Sequence, residues 1–124
     1  MSTVLIMLGG ALGAGSRYWL DRWVSHTADT AFPWGTFACN GLGSLAIGIV
    51  FALLGTGPEH AAWRLFLMTG LLGGFTTFST FSMQTLILVR SGQPGLAVLN
   101  AGVSLGGCLL ACTLGLWLAG GLRL

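Results

Sequence analysis

Gly70-Leu71-Leu72-Gly73-Gly74-Phe75-Thr76-Thr77-Phe78-Ser79-Thr80-Phe81-Ser82 lies inside a hydrophobic stretch long enough to cross a membrane, yet its residues make a poor helix. Glycine is costly in helix interiors, and threonine and serine offer the backbone competing hydrogen bonds. In hydrocarbon an unmet backbone amide or carbonyl costs several kcal/mol, so broken helix is tolerated only where protein or a water-filled path covers it. A break furnished with hydroxyls and three phenylalanines predicts an ion or solute site at membrane depth.

The rest of the chain fits that setting. Of 124 residues, 54% are hydrophobic and 6% charged, with mean hydropathy +0.85. A soluble domain carries about 25% charged residues, so the composition is that of an integral membrane protein. Four apolar segments follow, over residues 4–23, 34–54, 61–89 and 95–122. Each meets the ~20 residues needed to cross ~30 Å of hydrocarbon, and none shows the period-two alternation of a strand. The expected fold is all-α: one domain, residues 1–124, of four transmembrane helices with the third broken. Trp19, Trp23, Trp34, Trp63 and Trp117 lie toward segment ends, as an aromatic belt requires. The opening residues lack a basic n-region, so no cleavable signal peptide is expected.

Net charge is +2, all of its cations arginine, which is too weak and scattered for nucleic acid. With four spans, Arg64 and Arg123 fall on one side and Arg22 and Arg90 on the other, a balance that predicts no fixed orientation. Such a chain can insert both ways and pair antiparallel; the alternative is that the arginines only cap helices. The spacings Gly9–Gly13, Gly70–Gly74 and Gly102–Gly106 offer close-packing faces and together favour an oligomer.

Polar residues within the spans fall into stripes. Thr36, Asn40 and Ser44 share one face of the second segment, and Asn100, Ser104 and Cys108 share one face of the fourth. Either stripe can serve a pathway or simple helix–helix hydrogen bonding. None of these residues is acidic: Asp21, Asp29 and Glu59 fall at helix ends or in loops. A proton-coupled cation exporter needs a membrane carboxylate. Hydroxyls, including those of Thr77 and Thr80, amides and Arg17 suit an anion instead. The ring edges of Phe75, Phe78 and Phe81 carry partial positive charge and suit it too, although packing is the commoner use of such rings.

Cys39, Cys108 and Cys112 show no zinc spacing. Cys108 and Cys112, at i and i+4, are read as small packing residues, a metal pair being the alternative. His26 and His60 are read as interfacial. Gly102-Val103-Ser104-Leu105-Gly106 matches a nucleophile-elbow pattern but lies mid-span without its strand-to-helix turn. Gly41-Leu42-Gly43-Ser44-Leu45-Ala46 loosely matches a dinucleotide fingerprint with no preceding strand. An enzyme is not indicated.

In sum of its motifs the chain resembles the fluoride channel family known as Fluc or CrcB. The resemblance rests on Gly9 to Tyr18 in the first segment and on Pro33-Trp34-Gly35-Thr36 with Asn40 in the second. Gly73 to Ser82 in the third resembles the family hallmark. It implies an antiparallel, dual-topology homodimer in the bacterial plasma or inner membrane, with two fluoride pores along the subunit interface. It also implies a central structural sodium ion held by the backbone carbonyls of Gly73 and Thr76. The family's pore residues correspond to Asn40, Phe78 and Phe81, and its hydroxyl track to Ser104 with Asn100 and Cys108. Asn100 stands where a tyrosine is often found, Cys108 where a serine can be, and Gln84 where an acid is common. The implied activity is passive fluoride export. The competing readings are a small dual-topology multidrug transporter, which would need an acid absent from residues 3–20, and a non-transporting membrane subunit.

Overall fold

The structure, a computed structural model, describes residues 1–121. It is helical throughout, with no strand among the described residues. Helix α1 runs Ser2–Ala28 and α2 Trp34–Leu54. A 3-10 turn at Pro58–His60 leads into α3, Ala61–Arg64, which continues as a π-helical segment, Leu65–Leu72. Helix α4, Gly73–Phe75, is followed by Thr76 and Thr77 in extended conformation, ψ 158° and 116°. Helix α5, Phe78–Arg90, and α6, Pro94–Leu118, complete the chain.

The helix ends follow local chemistry. Asp29 adopts the left-handed conformation and its N–H closes α1 on the Ser25 carbonyl. α1 therefore extends beyond the expected residue 23, because the polar turn after Trp23 leaves hydrocarbon without leaving helix. Pro33 precedes α2, and Phe32 packs on Trp34 with ring centroids 4.6 Å apart. Gly55 (φ 58°, ψ −158°) ends α2, while the Arg64 guanidinium donates to the Gly55 and Gly57 carbonyls at 3.2 and 2.6 Å. Gly92 (φ 77°) and Gly120 (φ 73°) close α5 and α6. In the second case Gly121 N–H reaches Leu116 O at 2.8 Å and Gly120 N–H reaches Trp117 O at 3.0 Å, a Schellman ending. The last helix thus stops at Leu118, short of the expected residue 122, which like Arg123 lies outside the described residues.

Two seams hold the bundle, and both are made of glycine. α1 lies on the π-helical segment and α4, with Gly9 and Gly13 against the backbone around Gly70, Leu71 and Phe75. α2 lies on α6, where Gly48 meets the Cys112 backbone and Gly115 meets the Leu45 backbone. A Cβ at Gly9, Gly13, Gly48, Gly74 or Gly115 would overlap backbone of the facing helix. The Gly9–Gly13 and Gly70–Gly74 spacings are therefore used within the chain, correcting the expectation that they favour an oligomer. Gly102 and Gly106 have nothing within 4 Å of an added Cβ.

Large apolar side chains point outward: Leu12, Val98, Leu105 and Leu110 are all exposed. The buried set is small, and Thr36, Asn40, Asn100 and Ser104 in it nearly match the five buried hydrophobic residues in number. An apolar exterior over a partly polar interior is what a lipid solvent selects. The helices Trp34–Leu54, Pro58–Arg90 and Pro94–Leu118 are long and apolar enough to cross a membrane. α1 matches them in length, with 27 residues, but Arg17, Asp21 and Arg22 dilute its apolarity.

Candidate functional site

The backbone at Thr76–Thr77 needs new hydrogen-bond partners, and side chains supply them. In a continuous helix Thr77 N–H would bond Gly73 O. Here it donates to Asn40 Oδ1 at 2.7 Å, while Asn40 Nδ2 donates to Thr77 O at 3.0 Å. One asparagine thus pairs with both backbone groups of Thr77, much as a neighbouring strand would. Thr80 N–H, which would otherwise bond Thr76 O, turns to the Thr77 hydroxyl at 3.2 Å, making Thr77 the N-cap of α5. Phe78 N–H would bond Gly74 O, and there Arg17 Nε donates instead at 3.1 Å. The Thr76 hydroxyl and N–H both go to Leu72 O at 3.0 Å. Gly73 O and Thr76 O thus lose helical donors that turn to side-chain oxygens, while Gly74 O, which loses its helical donor as well, is met by Arg17.

Beside this interruption lies a cleft of about 450 Å³. Its polar lining comes from Asn40, Ser44, Thr76, Thr77 and Ser104, with Gly73 at the same wall. Phe78 and Phe81 line it together, their ring centroids 5.4 Å apart and tilted by 46°. Cys108 and Cys112 line it from α6, and Met68 from the π-helical segment. Gly43 permits the approach of α2, since a Cβ there would overlap the Thr76 methyl.

Of the sequence-predicted residues, Asn40, Gly73, Thr76, Thr77, Phe78, Phe81, Ser104 and Cys108 converge on this cleft. Thr36, Phe75, Thr80 and Asn100 do not line it. Thr80 serves the α5 cap, accepting from the Thr77 hydroxyl at 3.0 Å. Thr36 is buried, and Phe75 lies near Gly43. Asn100, only 1% exposed, ties α6 to α5: its Nδ2 donates to Thr85 Oγ1 at 2.8 Å, and its Oδ1 accepts from the Ser104 hydroxyl at 3.2 Å. Thr85 in turn donates to Phe81 O at 2.8 Å. The Ser104 proton therefore points toward Asn100 and reaches the cleft only on rotation.

Sequence reading missed Thr85, whose signal was its place four residues after Phe81 in the first turns of a helix rich in hydroxyls. It also missed that Arg17 serves a carbonyl. Among the described residues no group of three His, Cys, Asp or Glu side chains gathers to hold a metal. The chemistry of the cleft is that of amide and hydroxyl donors, aromatic edges, sulfur and released carbonyls.

These elements define a multi-pass helical membrane protein with a polar cleft beside an interrupted helix. The chain belongs to the family described as CrcB-like protein, Camphor Resistance (CrcB), which it matches over residues 4–116. It is 43% identical to a fluoride-specific ion channel FluC of Rhodospirillum rubrum, covering 95% of this chain and 91% of that one. The FluC of Thermus thermophilus is 46% identical, with 96% and 94% covered. That of Opitutus terrae is 48% identical, with 91% and 85% covered. These relatives are named as channels, not enzymes.

Proposed function

We propose that this protein is a fluoride channel, with the cleft beside Thr76–Thr77 as part of the ion path. The observation that carries the reading is the convergence of Asn40, Phe78, Phe81 and Ser104 at the interruption, in a chain whose relatives are named fluoride-specific. Fluoride is small and strongly hydrated, so a path must replace its water with hydrogen-bond donors. Asn40 commits one amide proton to Thr77 and keeps a second for an anion. The edges of Phe78 and Phe81 add weak positive potential. Ser104 contributes a donor when its hydroxyl turns from Asn100. None of these groups carries a full charge that would trap the ion. Passage is passive: fluoride that enters a cell as neutral acid dissociates in the less acidic interior, and the anion leaves down its gradient.

The assembly is an antiparallel homodimer of four-span subunits, α1 crossing beside the π-helical segment. Support comes from the even arginine distribution, although Arg64 is also used as a turn cap. A sodium ion fits the carbonyls of Gly73 and Thr76. Both residues line the cleft, both carbonyls lose their helical donors, and uncharged oxygens suit a hard cation. The ion supplies a fixed positive charge that satisfies carbonyls hydrocarbon cannot. Sodium bound there predicts a dimer that loosens when sodium is exchanged for N-methylglucamine; stability indifferent to a verified exchange argues against it.

Purified protein in liposomes, read with a fluoride electrode, tests the function. Fluoride efflux without chloride efflux is the expected result. Proton-driven uptake of an organic cation would support the multidrug-transporter reading, and no transport at all the non-transporting one.

A further inference from the structure

Cys108 and Cys112 stand one turn apart on α6, both as free thiols, and both line the cleft. Met68, on the π-helical segment, lines the same cleft. Three sulfur-bearing residues thus line one cavity, which Ile47, Leu105 and Leu109 also line. Cys39 differs: it is fully buried and its Sγ donates to Arg17 O at 3.8 Å.

We propose that the cleft binds a soft monovalent cation of the silver(I) or copper(I) class, bridged by Cys108 and Cys112 with Met68 as a third sulfur donor. Thiolate and thioether ligands select such ions over hard ones. Residues four apart on a helix hold their Cβ atoms about 5–6 Å apart, and two metal–thiolate bonds of about 2.3 Å bridge sulfurs turned toward each other across that spacing. Zinc is a poorer occupant because it asks for four donors, and no trio of His, Cys, Asp or Glu gathers among the described residues. Each thiol releases its proton to water as its sulfur–metal bond forms, and no electron is transferred. Because Cys108, Cys112 and Met68 line the same cleft as Ser104 and Phe81, a bound ion plugs it; that consequence rests on the proposed fluoride path, while binding does not.

The test is titration of the full chain with silver nitrate in chloride-free detergent solution. One silver per chain is expected to protect both Cys108 and Cys112 from N-ethylmaleimide. Cys108→Ser and Cys112→Ser should each weaken binding by on the order of 100-fold, through loss of a tethered second ligand. Met68→Leu should weaken it less, and Cys39→Ala should leave it unchanged. Two silver ions taking one thiol each, or undiminished binding in the Cys108→Ser/Cys112→Ser double variant, would overturn the site. In liposomes silver should stop fluoride efflux in the native protein, whereas the double variant's own rate, whatever its level without silver, should not change when silver is added. Bound silver with undiminished efflux would uphold the site and count against the cleft as the fluoride path.

Discussion

The α1 seam and the Thr76–Thr77 interruption lie on neighbouring parts of the same crossing, and they solve the backbone problem in opposite ways. Along the seam, glycine removes side chains so that helices meet backbone to backbone, while α1 keeps its own hydrogen bonds. Around Thr76–Thr77 the helical bonds are given up, and Asn40, Thr77 and Arg17 replace them from the side. The first solution leaves no room and no polarity. The second leaves a cleft, polar groups that face it and released carbonyls, those of Gly73 and Thr76 among them. In lipid the difference separates a structural contact from a site, because polar side chains and irregular backbone persist there only when something is gained.

The comparison breaks first at the seam. Gly13→Leu should cost more than about 3 kcal/mol, because the added side chain meets the Leu71 and Phe75 backbone, which cannot yield as a flexible side chain would. Loss of the monodisperse species in detergent is the expected readout. Asn40→Ala comes next: it strands the N–H and carbonyl of Thr77, each costing about 1–3 kcal/mol when buried, and should lower the unfolding midpoint and fluoride efflux together. Asn40→Asp keeps the acceptor for Thr77 N–H but sets a second oxygen against Thr77 O, so efflux should fail there as well. Thr77→Val removes the α5 cap at about 1 kcal/mol, and Thr77→Ser should restore most of it. The smallest effect belongs to Thr76→Ser, about 0.5 kcal/mol or less, since the hydroxyl still reaches Leu72 O and only the methyl near Gly43 is lost. A Thr76→Ser variant as damaged as Asn40→Ala would mean that the methyl contact, not the hydrogen bonding, holds the interruption.

Much of this was legible in the residues. The second helix runs over 34–54 as expected, because Pro33 and Gly55 mark its ends in backbone terms. The first helix outruns its apolar segment, ending at Ala28 and not at residue 23, since hydropathy marks the edge of hydrocarbon and not the end of a helix. The π-helical segment had no legible signal: Leu65 to Leu72 is ordinary apolar sequence, and its register depends on how Gly70 lies against Gly9 and Ile6. The Asn40 stripe was visible, but its partner was not, because pairing with Thr77 requires knowing which two residues of the 70–82 run are extended. The fourth-helix stripe divides in the same way. Ser104 and Cys108 reach the cleft, whereas Asn100 is spent on Thr85, a contact across two helices that no spacing within either one encodes.

The central claim is that the ring edges and amide beside Thr76–Thr77 carry fluoride, and flux through Phe78→Ile and Phe81→Ile tests it most directly. Isoleucine keeps an apolar side chain at each position but removes the aromatic edge. Both variants should remain assembled in detergent while fluoride efflux from liposomes falls more than about tenfold, the loss expected from removing ~1.4 kcal/mol of differential stabilisation along the path. Efflux at the native rate in both variants would mean the two rings only pack, and that the cleft is not the road fluoride takes.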